Sequence, residues 1–398
     1  MFKRILTAVI LVLITFLCIY VFTNEQIKYT FEVLNELNTN NNLKEYSSSY
    51  KINEFTISNS DYYYNKLTFK EKNVYKLLFN AVINLDKKFV IDLSQDELNY
   101  EEYNICIEKA VNAFFWDHPE VYYLKTKYSI YHVKNAFINA IVTNIDYSVD
   151  SMSELLIKNQ EISKKVSQIM LTLDNYTIFN NIIELHDYVA KNIDYFEYED
   201  VNKIDSIYHN IDGAFLDNTA VCDGLSKSLQ VLLNKIGIKT IFVTGMLEEE
   251  SHGWIMAYID DEWYHIDVTS DKYIKNENNK VDFVSHLYLN LTTEDILKSH
   301  SLDNPEILPV ANSTKHNYYV YNEYVIDDKN NFNKTLNEII NSQKNNKYIE
   351  FMVDIADNNI PDLIINSLYN MNFNNYTSKK NNIKMKYYNH EKIYTIQN

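Results

Sequence analysis

Cys222, His252 and Asp267 follow one another in the chain, 30 and then 15 residues apart. These are the residue types of thiol acyl transfer. A thiol attacks a carbonyl as its thiolate, so it needs a base or a positive neighbour. A histidine can take the thiol proton or hold the thiolate as an ion pair, and a carboxylate on its other ring nitrogen fixes the tautomer. The surrounding stretch, Asp212 to Asp271, also contains all five glycines of the 398-residue chain: Gly213, Gly224, Gly237, Gly245 and Gly253. Glycine is favoured where the backbone needs positive φ or a close approach. Two of the three tryptophans, Trp254 and Trp263, lie there too.

The elements that would position these groups can be read from spacing. Asn218 or Thr219 is expected to cap a helix beginning near Ala220. Leu225, Leu229, Leu232, Leu233 and Ile236 fall on one face of it, and Gly237 stands where a C′ glycine belongs. Cys222 is then in the first turn, where the helix dipole and free N–H groups favour a thiolate. Gly224 is expected to leave room beside the sulfur for a substrate backbone. A lone Cys at a helix start is ordinarily an inert buried thiol, so the reading depends on its neighbours. Thr240 to Gly245 reads as a strand. Gly253 to Ile259 and Glu262 to Thr269 read as a hairpin around Asp260-Asp261. With Ile259 opposite Glu262, Ala257 opposite Tyr264 and Ile255 opposite Ile266, one face is apolar. The other carries Trp254, Met256, Tyr258, Trp263, His265 and Asp267, with His252 the diagonal neighbour of Asp267. A slip of one residue would separate His252 from Asp267. His265 is a rival base, but it lies along the same strand as Asp267. A metal centre is the other rival; catalytic zinc needs three ligands at tight spacing, which this stretch does not supply cleanly.

At these residues the chain resembles the transglutaminase-like superfamily, which is papain-like in fold. The resemblance rests on Cys222-Asp223-Gly224, on His252-Gly253-Trp254, and on Trp263-Tyr264-His265-Ile266-Asp267 followed by Val268-Thr269. It covers roughly Tyr176 to His300. Asp117-His118-Pro119-Glu120 upstream and Asn317-Tyr318-Tyr319 downstream fit bacterial surface members. The resemblance implies a Cys222–His252–Asp267 catalytic triad. Substrate contacts are expected at Gly224, Trp254, Trp263 and Tyr208, the last as a second oxyanion contact beside the Cys222 N–H. Leu225 stands where members often have Tyr, and Thr269-Ser270-Asp271 replaces a frequent Thr-Trp-Asp-Asp.

The rest of the chain sets the context. Hydrophobic residues make up 46%, which excludes wholesale disorder. A net charge of −17 without a basic cluster in the folded part argues against nucleic acid as a partner. The three cysteines (Cys18, Cys106 and Cys222) form no disulfide framework, although Cys106 and Cys222 could pair; Cys106 reads as a buried helix residue. Ile5 to Phe22 is an uncharged run behind Lys3-Arg4, which reads as a membrane anchor with the remainder outside the cell membrane. A cleaved signal peptide is the competing reading, and the lipoprotein reading through Cys18 is weak because Phe16-Leu17 precede it.

The expected organisation is α+β: a papain-like transglutaminase core, with a Cys-bearing helix on an antiparallel sheet, flanked by small α+β regions and an N-terminal transmembrane helix. Its parts are an anchor (1–24), a partly ordered stalk (25–54), an N-terminal α+β region (55–150), the catalytic domain (151–304) and a C-terminal α+β module (305–398). In the N-terminal region helices are expected over Leu67–Leu85, with Thr68 and Glu71 as a capping box, and over Glu101–Phe115. A strand is expected after Pro119, and paired strands over Tyr128–His132 and Ala136–Tyr147. His186 reads as a half-buried helix residue and Glu294–His300 as a short helix.

The expected function is that of an extracytoplasmic cysteine enzyme without a cofactor or metal. It would act on amides of a protein, peptide or cell-wall substrate through a thioester, as protease, amidase or crosslinking acyltransferase. A catalytically silent surface scaffold and a metal-dependent hydrolase are the alternatives. Substrate, acyl acceptor and oligomeric state are not encoded in any motif.

Overall fold

Thr68 and Glu71 open the first long helix as reciprocal caps: the Thr68 hydroxyl accepts from Glu71 N–H, and the Glu71 carboxylate accepts from Thr68 N–H. The computed structural model describes residues 14–15, 24, 27–38, 61–94, 100–136, 138–173, 177–197, 206–271, 273–275, 281–357, 359–370, 385–388 and 393–397. They divide into two compact units, one of the described residues up to Ile157 and one of those from Lys158 onward. Among the described residues no helix is long and apolar enough to cross a membrane. The expected anchor run, apart from Ile14 and Thr15, lies outside them.

The first unit is α+β, as expected. Its helices Phe69–Asn84 and Tyr100–Asp117 accompany a three-stranded antiparallel sheet of order β1-β3-β2, with β1 Lys88–Asp92, β2 Ser129–Lys134 and β3 Asn139–Asn144. Sequence patterning missed β1. The stalk reading fails over 27–38, which is helical: Val33 is fully buried against Val90, Ile138, Ala140 and Val142. No strand follows Pro119; Leu124 makes one isolated bridge to Tyr147. Asp117 instead accepts from the N–H groups of Tyr63 and Tyr64, and His118 pairs with Glu120 at 2.8 Å. The motif therefore turns the chain inside this unit. Cys106 is half-buried, and both Cys106 and Cys222 are free thiols.

The second unit holds the glycine-bearing stretch. Helix Ile178–Asn192 leads to β4 (Asp194–Tyr195), which pairs in parallel with β5 (Thr219–Ala220), immediately before helix Cys222–Lys235. Leu225, Leu229, Leu232 and Leu233 are buried on that helix; full burial of each stabilises by roughly 2 kcal/mol. Gly237 closes it at φ 87°, as a C′ glycine should. The central sheet is antiparallel, in the order β11-β8-β7-β6-β12: β6 Lys239–Leu247, β7 Glu250–Ile259, β8 Glu262–Ile266, β11 Leu289–Leu291 and β12 His300–Leu302. β9 (Tyr273–Lys275) and β10 (Val281–Val284) form a separate pair. The β7–β8 register is the one the alternation demanded, with Ile259 opposite Glu262, Ala257 opposite Tyr264 and Ile255 opposite Ile266. Asp260 and Asp261 both take positive φ (49° and 67°), the backbone of a type I′ turn.

Beyond the sheet, β13 (Val325–Ile326), helix Phe332–Ser342, β14 (Tyr348–Val353), helix Ile360–Asn370, β15 (Met385–Tyr388) and β16 (Ile393–Gln397) build a second sheet of order β13-β14-β16-β15. It has its own core around Phe351, Leu336 and Ile364. This is the C-terminal α+β pattern expected from sequence, but it lies in the same compact unit as the central sheet.

Candidate active site

Val221 is the N-cap of the Cys222–Lys235 helix, in extended backbone and without a side-chain cap. Asn218 and Thr219 do not cap it: Asn218 is left-handed at the end of a π-turn over Gly213–Asp217, and Thr219 is in β5. Val221 N–H is instead tied to the Tyr208 carbonyl at 2.9 Å, and the Leu225 N–H bonds back to the Val221 carbonyl. The N–H groups of Cys222, Asp223 and Gly224 thus precede the first helical bond and have no acceptor within the helix. Cys222 stands in this positive first turn. Its thiol donates to Asp223 Oδ1 at 3.7 Å, and His252 and the Gly253 N–H lie near enough to act on its titration. Burial pushes the Cys222 thiol up, as does the Asp223 carboxylate; the His252 contact pulls it down.

His252 and Asp267 meet through Nε2 and Oδ2 at 2.8 Å, which leaves His252 Nδ1 for the thiol. His300 Nε2 donates to the same Oδ2 at 3.0 Å, and its Nδ1 contacts Ser299 Oγ at 2.8 Å. Asp267 Oδ1 accepts the N–H groups of Thr269 (3.1 Å) and Ser270 (3.2 Å). Asp267 is fully buried. Burial alone would raise its carboxyl, but the two imidazoles outweigh it and hold the group far below the usual carboxylate range. Burial likewise opposes charge on His252, yet Asp267 and then Cys222 lift it to about 10. The Cys222 sulfur, the His252 ring and the buried Asp267 carboxylate thus stand in sequence, with His300 as a second donor on the carboxylate.

His265, the rival base, is spoken for. Its Nδ1 accepts the Trp254 indole N–H at 3.0 Å, and its Nε2 faces Thr293 Oγ1 at 3.2 Å. Burial, with His300 nearby, brings it down to about 3, so it stays neutral.

Three expected substrate contacts take other places. A Cβ on Gly224 would lie 2.5 Å from the Tyr208 carbonyl oxygen and 2.8 Å from Ala220 Cβ, so this glycine serves close backbone packing and leaves no substrate space on that side. Trp254 is fully buried, its ring near His252 and His300, where it covers the histidine–carboxylate contacts. Trp263 pairs across the hairpin with Tyr258, six residues along β7 from His252, or about 20 Å at roughly 3.3 Å per residue. The fourth, Tyr208, adjoins the helix start through its carbonyl, and its ring stacks on Phe196 at 4.2 Å.

Sequence reasoning missed His300, read as a helix end: the helix is Thr293–Ile296, and His300 begins β12 on the edge of β6. It also missed a polar group at the helix start, in which Lys227 is buried while Asp223 and His209 are half-buried. Asp223 Oδ2 contacts His209 Nδ1 at 3.2 Å, and Lys227 Nζ donates to the His209 carbonyl and Asn210 Oδ1, each at 3.0 Å. Burial raises Asp223, but His209 and Lys227 outweigh it and keep the carboxyl low. The i, i+4 spacing of Asp223 and Lys227 was the available signal. Gly253 belongs to the same packing: a Cβ there would lie 2.7 Å from Asp223 Oδ1 and 2.6 Å from the Phe242 ring. His252, Asp267 and His300 also have ligand atoms within 4.8 Å of one another, near enough to share a metal ion.

Residues 165–268 match the Transglutaminase-like superfamily. No curated protein matches the chain. Similar solved structures include one described as a TGase, at 15% identity and TM-score 0.26, covering 48% of this chain and 53% of that one. A candidate cysteine protease from Cytophaga hutchinsonii is 11% identical, with TM-score 0.23, and covers 40% of this chain and 66% of its own. A candidate protease from Parabacteroides distasonis is 10% identical, with TM-score 0.23, and covers 36% of this chain and 37% of its own. The match thus spans about half the length of the TGase structure. Over residues 165–268 this chain carries a transglutaminase-like domain.

Proposed function

We propose that the chain is a cysteine enzyme acting on amides through a thioester at Cys222. The observation that carries the reading is the 2.8 Å bond between His252 and the buried Asp267, beside Cys222 in the first turn of a helix, with His252 and Cys222 acting on each other's titration. Cys222 and His252 react as a thiolate–imidazolium pair, the thiol proton held on His252 Nδ1, and the thiolate attacks the amide carbonyl. The Cys222 N–H faces the developing oxyanion, with Tyr208 as a second contact. The imidazolium then gives its proton to the leaving amine as the C–N bond breaks. Water, or a second amine, next gives a proton to His252 and takes the acyl group, and the thiol is restored. Asp267 holds the tautomer and the positive charge throughout.

The substrate is a protein or peptide, including cell-wall peptide, and the acceptor decides between hydrolysis and crosslinking. The chain acts outside the cell membrane, anchored through Ile5–Phe22; support for this address is the sequence run alone. The test is alkylation of Cys222 by iodoacetamide at neutral pH, followed by mass spectrometry of acyl groups trapped on Cys222 from a surface-protein or cell-wall digest. Labelling is expected to be fast and to slow at least tenfold in His252→Ala. Equal slow labelling of both proteins would sink the activated thiol.

A silent surface scaffold is the second reading. On its side are the half-burial of Cys222 and the carboxylate beside its sulfur, both of which favour the protonated thiol. It predicts that Cys222→Ala leaves every cellular phenotype intact.

A further inference from the structure

We propose that His186, Asp187 and His286 form a second functional centre, a binding site for a divalent transition-metal ion of the zinc class. His186 and Asp187 are neighbours on helix Ile178–Asn192; His286 lies between β10 and β11. Their ligand atoms all fall within 4.8 Å of one another. Asp187 Oδ1 is 3.3 Å from His186 Nδ1 and 2.9 Å from His286 Nε2. Ligands about 2.1 Å from a tetrahedral ion stand ~3.4 Å apart, so one contact already has the needed separation and the other must open by about half an ångström.

The outer contacts are those of metal-bound histidines, whose far nitrogen is typically held by a carboxylate or carbonyl. His186 Nε2 meets Asp271 Oδ2 at 2.7 Å. His286 Nδ1 meets Glu350 Oε1. Both carboxylates are fixed in turn: Asp271 Oδ1 accepts Tyr288 N–H at 2.8 Å, and Glu350 Oε2 accepts the Tyr319 hydroxyl at 3.0 Å. These bonds set both rings to present Nδ1 of His186 and Nε2 of His286 to one point. Tyr318 stacks flat on His286 at 3.8 Å and closes that side.

Burial opposes charge on both rings, but each stands between two carboxylates, which outweigh it and raise both imidazoles. Ligation requires both rings neutral, so the ion would take the place of their two protons. Exchange of two protons for one divalent cation leaves the charge of the cluster unchanged. The Asp187 side chain keeps 19% of its surface exposed, which gives the ion an entry path and a fourth position for water. Two imidazoles and a carboxylate suit zinc better than calcium or magnesium, which take oxygen ligands.

The ion would join four segments: helix Ile178–Asn192, the turn to Asp271, the Ser285–Tyr288 loop and β14. Tyr288 links this centre to the candidate active site, since its N–H binds Asp271 while its carbonyl accepts Asp267 N–H at 3.1 Å. The role is therefore positional.

The test uses the full chain stripped with a chelator and titrated with zinc chloride against a chromogenic competitor. One equivalent is expected to bind. Asp187→Asn and His186→Gln should each weaken it at least tenfold, and Glu350→Gln, which alters only the outer shell, roughly 10- to 100-fold. His300→Ala should leave affinity unchanged, because it perturbs only the cluster at Asp267. Cobalt(II) at the site should give visible d–d absorption that Asp187→Asn abolishes. If His286→Gln fails to fold, the surface-edged Asp187→Asn still decides the matter. Failure of the stripped chain to take up one equivalent overturns the site. So does binding that survives both Asp187→Asn and His186→Gln, or that is lost in His300→Ala. None of these outcomes depends on whether Cys222 is reactive.

Discussion

Two places in the second unit set one carboxylate between two imidazoles, and they differ in what holds the outer ends of the rings. At Asp267 both rings point Nε2 at one oxygen, and the far nitrogens reach a thiol and a hydroxyl, Cys222 and Ser299. At Asp187 the far nitrogens are closed off by further carboxylates, Asp271 and Glu350. A ring that ends on a thiol has a proton to exchange with a nucleophile. A ring that ends on a second carboxylate has no reaction partner; it is held in one orientation, which suits a fixed charge or a bound ion. Similar residue types thus give a candidate proton-transfer line in one place and a rigid clamp in the other.

The largest expected effect comes from breaking the first arrangement at its centre. Asp267→Asn replaces an acceptor of two imidazole N–H groups by an amide that can repel one of them. Turnover, or acylation of Cys222, should fall by roughly 10³–10⁴-fold, the scale on which a tautomer-fixing carboxylate acts. Asp187→Asn should leave the chemical step within about tenfold of wild type. Comparable losses from the two substitutions would erase the distinction between the clusters.

The next effect is in pH. His252 rises to about 10 in the fold, above an unfolded value of about 6.5. Its contribution to stability is therefore fully present below about 6.5 and is lost as pH rises through about 10. Asp267 is depressed, so its share is present above about 3.9 and is lost as pH falls toward its folded value. Thermal unfolding of wild type should show an alkaline decline between these limits that His252→Gln flattens. Alkylation sharpens the point: the ratio of wild-type to His252→Ala rate should be greatest near pH 7 and shrink toward pH 10, where the charged imidazole is lost. A ratio independent of pH would remove His252 from the proton path.

How far these clusters could be foreseen depended on how locally each is built. The β7–β8 register follows from side-chain alternation and a turn at Asp260-Asp261, so the meeting of His252 and Asp267 was legible. Four of the five glycines marked close packing and Gly237 marked positive φ, but whether the neighbour of Gly224 would be substrate or the Tyr208 carbonyl was not in the sequence. His300 was hidden because its position depends on β12 pairing with β6, a long-range event that helical patterning after Thr292 masks. The second cluster was less accessible still. Asp271 is 85 residues from His186, His286 is 99 from Asp187, and Glu350 is 64 from His286. No motif spacing predicts such convergence; it arises when three segments pack on the Ile178–Asn192 helix. Read singly, His186 looked like an ordinary helix residue.

The smallest predicted change concerns Trp254, which tests whether the wall beside the first cluster is structural. The indole N–H donates to His265 Nδ1 at 3.0 Å, which places the His265 proton on Nε2, toward Thr293. Trp254→Phe keeps an aromatic ring but leaves a buried imidazole nitrogen unsatisfied, at a cost of about 1–3 kcal/mol. Since Trp254 presents no surface to solvent, KM for a peptide amide should not change, and any loss should follow the fraction unfolded. A several-fold rise in KM at full folding would return Trp254 to the substrate-binding surface. Calorimetry beside steady-state kinetics separates the two. An unchanged KM with a lowered Tm would place His265 and Trp254 in the packing that shields Asp267, leaving His252 as the titrating ring on this face of the sheet.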